Sequence, residues 1–93
     1  MITAARILVV DDEPDLLTLY ELALIREGHQ MQTASTLAEA RSALAEVTFD
    51  VLITDMRLPD GLGMELLREL ATARRPERSI MVTAYGSPET SCI

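Results

Sequence analysis

Three apolar runs in this chain end at a polar residue that is not needed for packing. Arg6-Ile7-Leu8-Val9-Val10 runs into Asp11-Asp12-Glu13, Val51-Leu52-Ile53-Thr54 into Asp55, and Ser79-Ile80-Met81-Val82 into Thr83. Uninterrupted aliphatic and β-branched residues of this length read as strands buried on both faces of a parallel sheet. Residues 29–34 alternate more loosely and predict a short edge strand. The segments between switch to helical spacing. After Pro14, which suits a first helical turn, Leu16, Leu19, Tyr20 and Ala23 form one apolar stripe, with Leu17 and Leu24 partly outside it. That helix is expected to run to about Glu27 and stop at Gly28. Thr36-Leu37-Ala38-Glu39 has the pattern of a capping box and opens a second helix with Leu37, Ala40, Leu44 and Val47 on its apolar face. Gly61-Leu62-Gly63 leads into a third, with Leu66, Leu67 and Leu70 inward and Pro76 barring continuation. Ser87-Pro88 reads as the cap and first position of a fourth, barely one turn from the last residue, Ile93.

The resulting order is β-α-β-α-β-α-β-(α). Strict alternation implies parallel strands with helices on both faces, and right-handed crossovers make this an α/β fold with a doubly wound parallel sheet. With 93 residues the whole chain, 1–93, is read as one domain.

Composition narrows the function. Apolar residues make up 48% of the chain, enough for a globular core, and only Tyr20, Phe49 and Tyr85 are aromatic, so that core is aliphatic. The net charge of −7 argues against direct binding to nucleic acid or to an anionic membrane, both of which need clustered basic residues. All eight basic residues are arginines and there is no lysine. One cysteine, Cys92, excludes an internal disulfide. No apolar run approaches a membrane span and the N-terminus has no signal-peptide pattern, so a cytoplasmic protein is expected. His29, alone after Gly28, reads as a solvated surface histidine, and the acids of residues 65–69 as a solvated helix face.

In a parallel sheet the strand ends share one edge, the edge where ligands bind in open α/β folds. Asp11, Asp12, Asp55 and Thr83 therefore converge. Taken singly, Asp11-Asp12 is a helix cap, Asp55 a loop acid, and Thr83 uninformative. Taken together they form a carboxylate cluster, and two such charges about 4 Å apart repel by roughly 4 kcal/mol at an effective dielectric of about 20. Either one takes up a proton or a cation sits among them. Oxygen-only ligands on a partly solvated edge suit Mg²⁺. A carboxylate beside that metal, with a hydroxyl nearby, is equipped to accept a phosphoryl group.

Val9-Val10-Asp11-Asp12-Glu13-Pro14, then Thr54-Asp55-Met56-Arg57-Leu58-Pro59-Asp60-Gly61, then Met81-Val82-Thr83-Ala84-Tyr85-Gly86 resemble the receiver domain of bacterial two-component response regulators, in wording closest to the NtrC-like, PilR-type regulators. The resemblance covers essentially the whole chain. It implies a flavodoxin-like sheet and a phosphoprotein in signal transduction and transcription regulation, not a turnover enzyme. Asp55 would accept the phosphoryl group from a sensor histidine kinase. Asp12 and Asp55 would ligate Mg²⁺ directly, Asp11 through water, and Arg57 through its backbone carbonyl. Thr83, with Ala84 beside it, would supply the switch and phosphate-binding group, and Tyr85 would sit next to the switch.

The same resemblance sets an expectation of incompleteness. Receivers continue to a fifth strand, with a switch aromatic and a lysine before a proline, and to a fifth helix; this chain has neither and keeps the order 2-1-3-4. The alternative reading is thus a non-switching remnant that acts as a dimerising or interaction module, completed by a homodimer or domain-swapped partner. An aspartate-nucleophile phosphatase of the haloacid dehalogenase type is excluded, because Asp11-Asp12-Glu13-Pro14-Asp15 lacks the Asp-x-Asp-x-Thr or Val pattern.

Overall fold

The computed structural model describes residues 4–82. In chain order the elements are β1 (Arg6–Val10), α1 (Pro14–Arg26), β2 (Gln30–Ala34), α2 (Leu37–Glu46), β3 (Val51–Asp55), β4 (Arg57–Leu58), β5 (Gly61–Leu62), α3 (Gly63–Thr72) and β6 (Arg78–Val82). The four long strands form a parallel sheet in the order β2-β1-β3-β6. The expected order 2-1-3-4 is met, with β6 in the fourth place. Because the chain steps from β1 outward to β2 and then back across β1 to β3, right-handed crossovers put α1 and α2 on opposite faces.

The main core lies between the sheet and the pair α2–α3. Leu8, Val10 and Leu52 pack there with Leu37, Ala40, Ala43, Leu44, Phe49, Leu66 and Leu70. Ile7 and Val9 point to the opposite face and are also buried. Local signals explain the ends of the elements. Thr36 Oγ1 accepts from the Glu39 amide at 3.1 Å, the first half of the capping box, whereas Glu39 Oε1 accepts from the Ser35 amide at 2.8 Å, one residue before the cap. Gly28, at φ +87°, closes α1 by donating to Ile25 O while the His29 amide reaches Leu24 O. After α3 the left-handed position falls to Arg74, at φ +54°.

Four expectations are corrected. The inward stripe of α1 is not Leu16, Leu19, Tyr20 and Ala23. Leu16, Leu17, Tyr20 and Leu24 are half-buried, whereas Ala23 is exposed and Leu19, Leu22 and Ile25 are 61%, 64% and 55% exposed. A helix with leucines on most sides satisfies helical spacing in more than one rotation, and docking on the sheet selects one. His29 is not a free surface side chain, since it is half-buried and its Nδ1 accepts the Ala5 amide at 3.0 Å. The acids of α3 are engaged as well: Arg41 on α2 donates to both carboxylate oxygens of Glu69 and lies 3.7 Å from Glu65. The fourth long strand also begins one residue earlier than expected, at Arg78, and it is not buried on both faces. It is an edge of the sheet, so the half of it nearest Arg78 faces solvent. Ser87-Pro88 lies outside the described residues.

Candidate functional site

Asp11 follows β1 directly and Asp55 is the last residue of β3, and the register Val10↔Thr54 sets the two strand ends side by side. One carboxylate oxygen from each of Asp11, Asp12 and Asp55 lies within 4.8 Å of the others. Asp11 and Asp55 are buried and Asp12 is exposed. The sheet edge thus brings together the three acids that the sequence nominated.

Two of the three are fixed by hydrogen bonds. The Asp11 amide donates to Ala34 O at 2.9 Å, and Asp11 Oδ1 accepts from the Glu13 amide at 2.9 Å. Asp55 Oδ1 accepts from the Met56 amide at 2.7 Å. Among the described residues no side-chain cation bonds to any of the three carboxylates. Burial pushes the Asp11 carboxyl up from its ordinary value, the Glu13 amide opposes this, and the neighbouring charges of Asp55, Asp12 and Glu13 add to the rise. Tyr20, on α1, feels the same pocket: burial and then the charges of Asp11 and Asp55 hold its phenol protonated more strongly than usual. A partly buried, oxygen-only donor set whose members repel one another fits a hard divalent cation such as Mg²⁺.

The segment leaving Asp55 is more structured than a turn signal suggests. Arg57–Leu58 and Gly61–Leu62 pair as a two-residue antiparallel ladder around Pro59-Asp60. The Gly63 amide donates back to Met56 O at 2.9 Å, and the Leu62 amide to Glu65 Oε2 at 3.0 Å. Arg57 sits at the start of this ladder with its side chain exposed. Thr83, Ala84 and Tyr85 lie outside the described residues.

Two residues that sequence reasoning missed fix the acceptor itself. Thr54 is fully buried and its hydroxyl donates to the Asp55 carbonyl at 3.0 Å. Gly63 packs so closely that a Cβ there would fall on the Asp55 carbonyl oxygen and lie 2.8 Å from Thr54 Oγ1. A threonine inside an otherwise aliphatic buried run was the available signal for the first; a glycine opening a helix gave none for the second.

Comparison with known proteins agrees with this geometry. The family model of the response regulator receiver domain matches residues 7–92. The chain is 45% identical over 85 residues to the response regulator protein PilR of Pseudomonas aeruginosa, covering 90% of this chain and 19% of that protein. Among solved structures it is similar to the response regulator TrrA of Thermotoga maritima in complex with Mg²⁺ and BeF, at a TM-score of 0.80 and 35% identity over 86% of this chain and 70% of that one. It is also similar to the beryllofluoride-activated NtrC4 receiver domain dimer, at a TM-score of 0.81 and 33% identity over 94% and 72%. The chain spans about a fifth of the length of the curated relative, at the 19% given above. The chain belongs to the response regulator receiver domain family.

Proposed function

We propose that this receiver domain, a signalling module spanning residues 1–93, accepts a phosphoryl group on Asp55 from a phosphohistidine of a sensor histidine kinase. The observation that carries the reading is the meeting of Asp11, Asp12 and Asp55 at one sheet edge, with a carboxylate oxygen of each within 4.8 Å of the others. Asp12 and Asp55 would hold Mg²⁺ with the Arg57 carbonyl, and Asp11 would act through water. The Mg²⁺–BeF complex of TrrA supports Mg²⁺ as the cation. Bound Mg²⁺ offsets charge on the phosphoryl oxygens.

The protein's own part is positional. Met56 holds Asp55 Oδ1 and, among the described residues, Oδ2 accepts no hydrogen bond. This oxygen attacks phosphorus as the phosphorus–nitrogen bond of the donor breaks and the imidazole leaves with the electron pair. Thr54 and Gly63 keep the Asp55 backbone from turning away. Thr83, Ala84 and Tyr85 carry the switch roles in this reading. Transcription regulation is the output that a relative's name suggests, and in this reading the protein acts in the cytoplasm. Intact mass after treatment with a small phosphodonor and Mg²⁺ tests the acceptor: wild type gains one acid-labile phosphoryl group and Asp55→Asn gains none. No adduct on wild type, or an adduct retained by Asp55→Asn, refutes it.

A second reading, a homodimer or domain-swapped pair, is favoured by the exposed apolar surface. Ile80 on the edge strand β6 is 50% exposed, and a hollow of about 630 Å³ runs beside Leu19, Leu22, Ile25 and Arg26 of α1, away from the acids. On this reading the melting temperature rises with protein concentration and sedimentation shows a dimer. A monomer with a concentration-independent melt excludes it.

A further inference from the structure

The segment between Asp55 and α3 is fastened at its far end by a residue that the phosphoacceptor reading does not use. Asp60 sits at the tip of the β4–β5 ladder. Its Oδ1 accepts from the Leu37 amide at 2.8 Å and its Oδ2 from the Ala38 amide at 3.1 Å. These are the first two amides of α2, which have no partner inside the helix, and the positive end of the helix dipole favours a carboxylate there. Those two amide bonds, Leu37 first, hold the Asp60 carboxyl below its ordinary value despite some desolvation.

The link joins two arms of the site. On one side α2 follows β2, whose last residue, Ala34, accepts the amide of Asp11 at 2.9 Å. On the other the ladder runs back from Asp60 to Arg57 and to Asp55. The contacts therefore form a ring: Asp11 to Ala34, along the chain to Leu37, across to Asp60, and back through Arg57 to Asp55. The strands and the ladder hold their parts of the ring through backbone pairing. The crossing from α2 to the ladder tip rests on the Asp60 side chain. Gly61 adjoins it at φ +152°, with Leu37 Cδ1 and Glu65 Oε2 pressed against the place a Cβ would take, so the tip is seated directly on the start of α2.

We infer that Asp60 is a positioning residue for the metal site: by bolting the tip of the loop to α2 it fixes where the Arg57 carbonyl stands relative to Asp11 and Asp55. The inference rests on the reading of that site given above. Asp60 touches neither metal nor phosphoryl group, and it acts through the loop. Groups that orient metal ligands from behind change metal affinity by roughly 10–100-fold when removed.

Calorimetric titration with Mg²⁺ alone, beside thermal melts without metal, tests it. Asp60→Ala should weaken Mg²⁺ binding by about tenfold or more. Asp60→Asn retains one acceptor oxygen and should fall between this variant and wild type, so it keeps the test usable if the alanine variant folds poorly. Thr36→Ala removes the other α2 cap without touching the loop; it should melt lower and bind Mg²⁺ as wild type does. If both Asp60 variants melt lower but bind Mg²⁺ like wild type, Asp60 is only a helix cap and the inference is wrong. If Thr36→Ala weakens Mg²⁺ as much as Asp60→Ala, loss of α2 stability explains the effect and the inference is again wrong. Wild type that takes up no Mg²⁺ overturns the reading of the site itself, and this inference with it.

Discussion

Arg75→Met destabilises the domain by about 3 kcal/mol, the scale for breaking a buried pair from one side. Arg75 and Glu77 meet at 2.7 Å beneath the ends of α2 and α3. The Glu77 side chain is completely enclosed, while that of Arg75 is 24% exposed. Arg75 also donates to Leu44 O at 2.8 Å and Val47 O at 3.1 Å, carbonyls at the end of α2 that have no helical partner further along. Glu77 in turn accepts the Phe49 amide at 3.0 Å. Removing the guanidinium leaves two carbonyls and a buried carboxylate without their cation. A single domain is stable by only about 5–15 kcal/mol, so urea denaturation resolves the loss easily.

The acid dependence of that variant has a definite sign. The Arg75 guanidinium holds the Glu77 carboxyl below its ordinary value, against burial and with help from the Phe49 amide. A carboxyl depressed in the folded state stabilises the fold above the ordinary glutamate range and loses that contribution as pH falls through the lower, folded value. In Arg75→Met the largest lowering influence is gone and only backbone amides such as that of Phe49 still oppose burial, so protonation costs the variant less than it costs wild type. The stability gap between wild type and variant is therefore widest near neutrality and narrows in acid. A gap that stays constant with pH would show that the ion pair is not its source.

Gly63→Ala has the second large effect, and it couples stability to function. The new methyl falls on the Asp55 carbonyl oxygen and crowds the Thr54 hydroxyl, both backed by buried residues. Neither neighbour is the loose end of a flexible side chain, so α3 or the end of β3 must shift. Overpacking of this kind costs typically about 1–3 kcal/mol. The shift also draws the Asp55 carboxylate away from Asp11 and Asp12. Phosphoryl uptake from a small donor should fall further than the drop in folded fraction explains, when both are measured on the same sample. Uptake that simply follows the folded fraction would assign Gly63 to packing alone.

These two sites show where sequence stops being readable. The strands were legible because apolar runs of five or so residues bounded by acids have few other uses, and their parallel order followed from alternation with helices. The acid cluster was legible for the same reason, since its members are strand ends and the fold class alone brings them to one edge. The rotation of α1 was not, because Leu16, Leu17, Leu19, Leu22, Leu24 and Ile25 leave no single apolar face. Nor was the β4–β5 ladder, whose two-residue strands are too short to carry a period. Asp60 reads in sequence as a turn residue between proline and glycine. Its actual partners, Leu37 and Ala38, lie at the start of α2, and nothing local announces them. Glu77 after Pro76 looks like any loop acid, although its side chain is enclosed. Both acids cap backbone amides far off in the chain, Leu37 and Ala38 for Asp60 and Phe49 for Glu77, and such bonds leave no local pattern.

The pairing of β1 with β3 has a consequence for how the molecule comes to have a site at all. Val10 and Thr54 become neighbours only when β3 pairs with β1, across the helix, strand and helix that separate them in the chain. Until then the chain holds an acidic pair near its start and a lone acid far along it, neither of them able to bind a divalent cation well. Non-local contacts of this kind form late, because the entropy of closing the loop must be met before they contribute. The acid cluster is therefore completed only by the pairing of β3 with β1. A copy in which β1 and β3 have not paired therefore lacks the cluster of Asp11, Asp12 and Asp55, however much of its helix is formed.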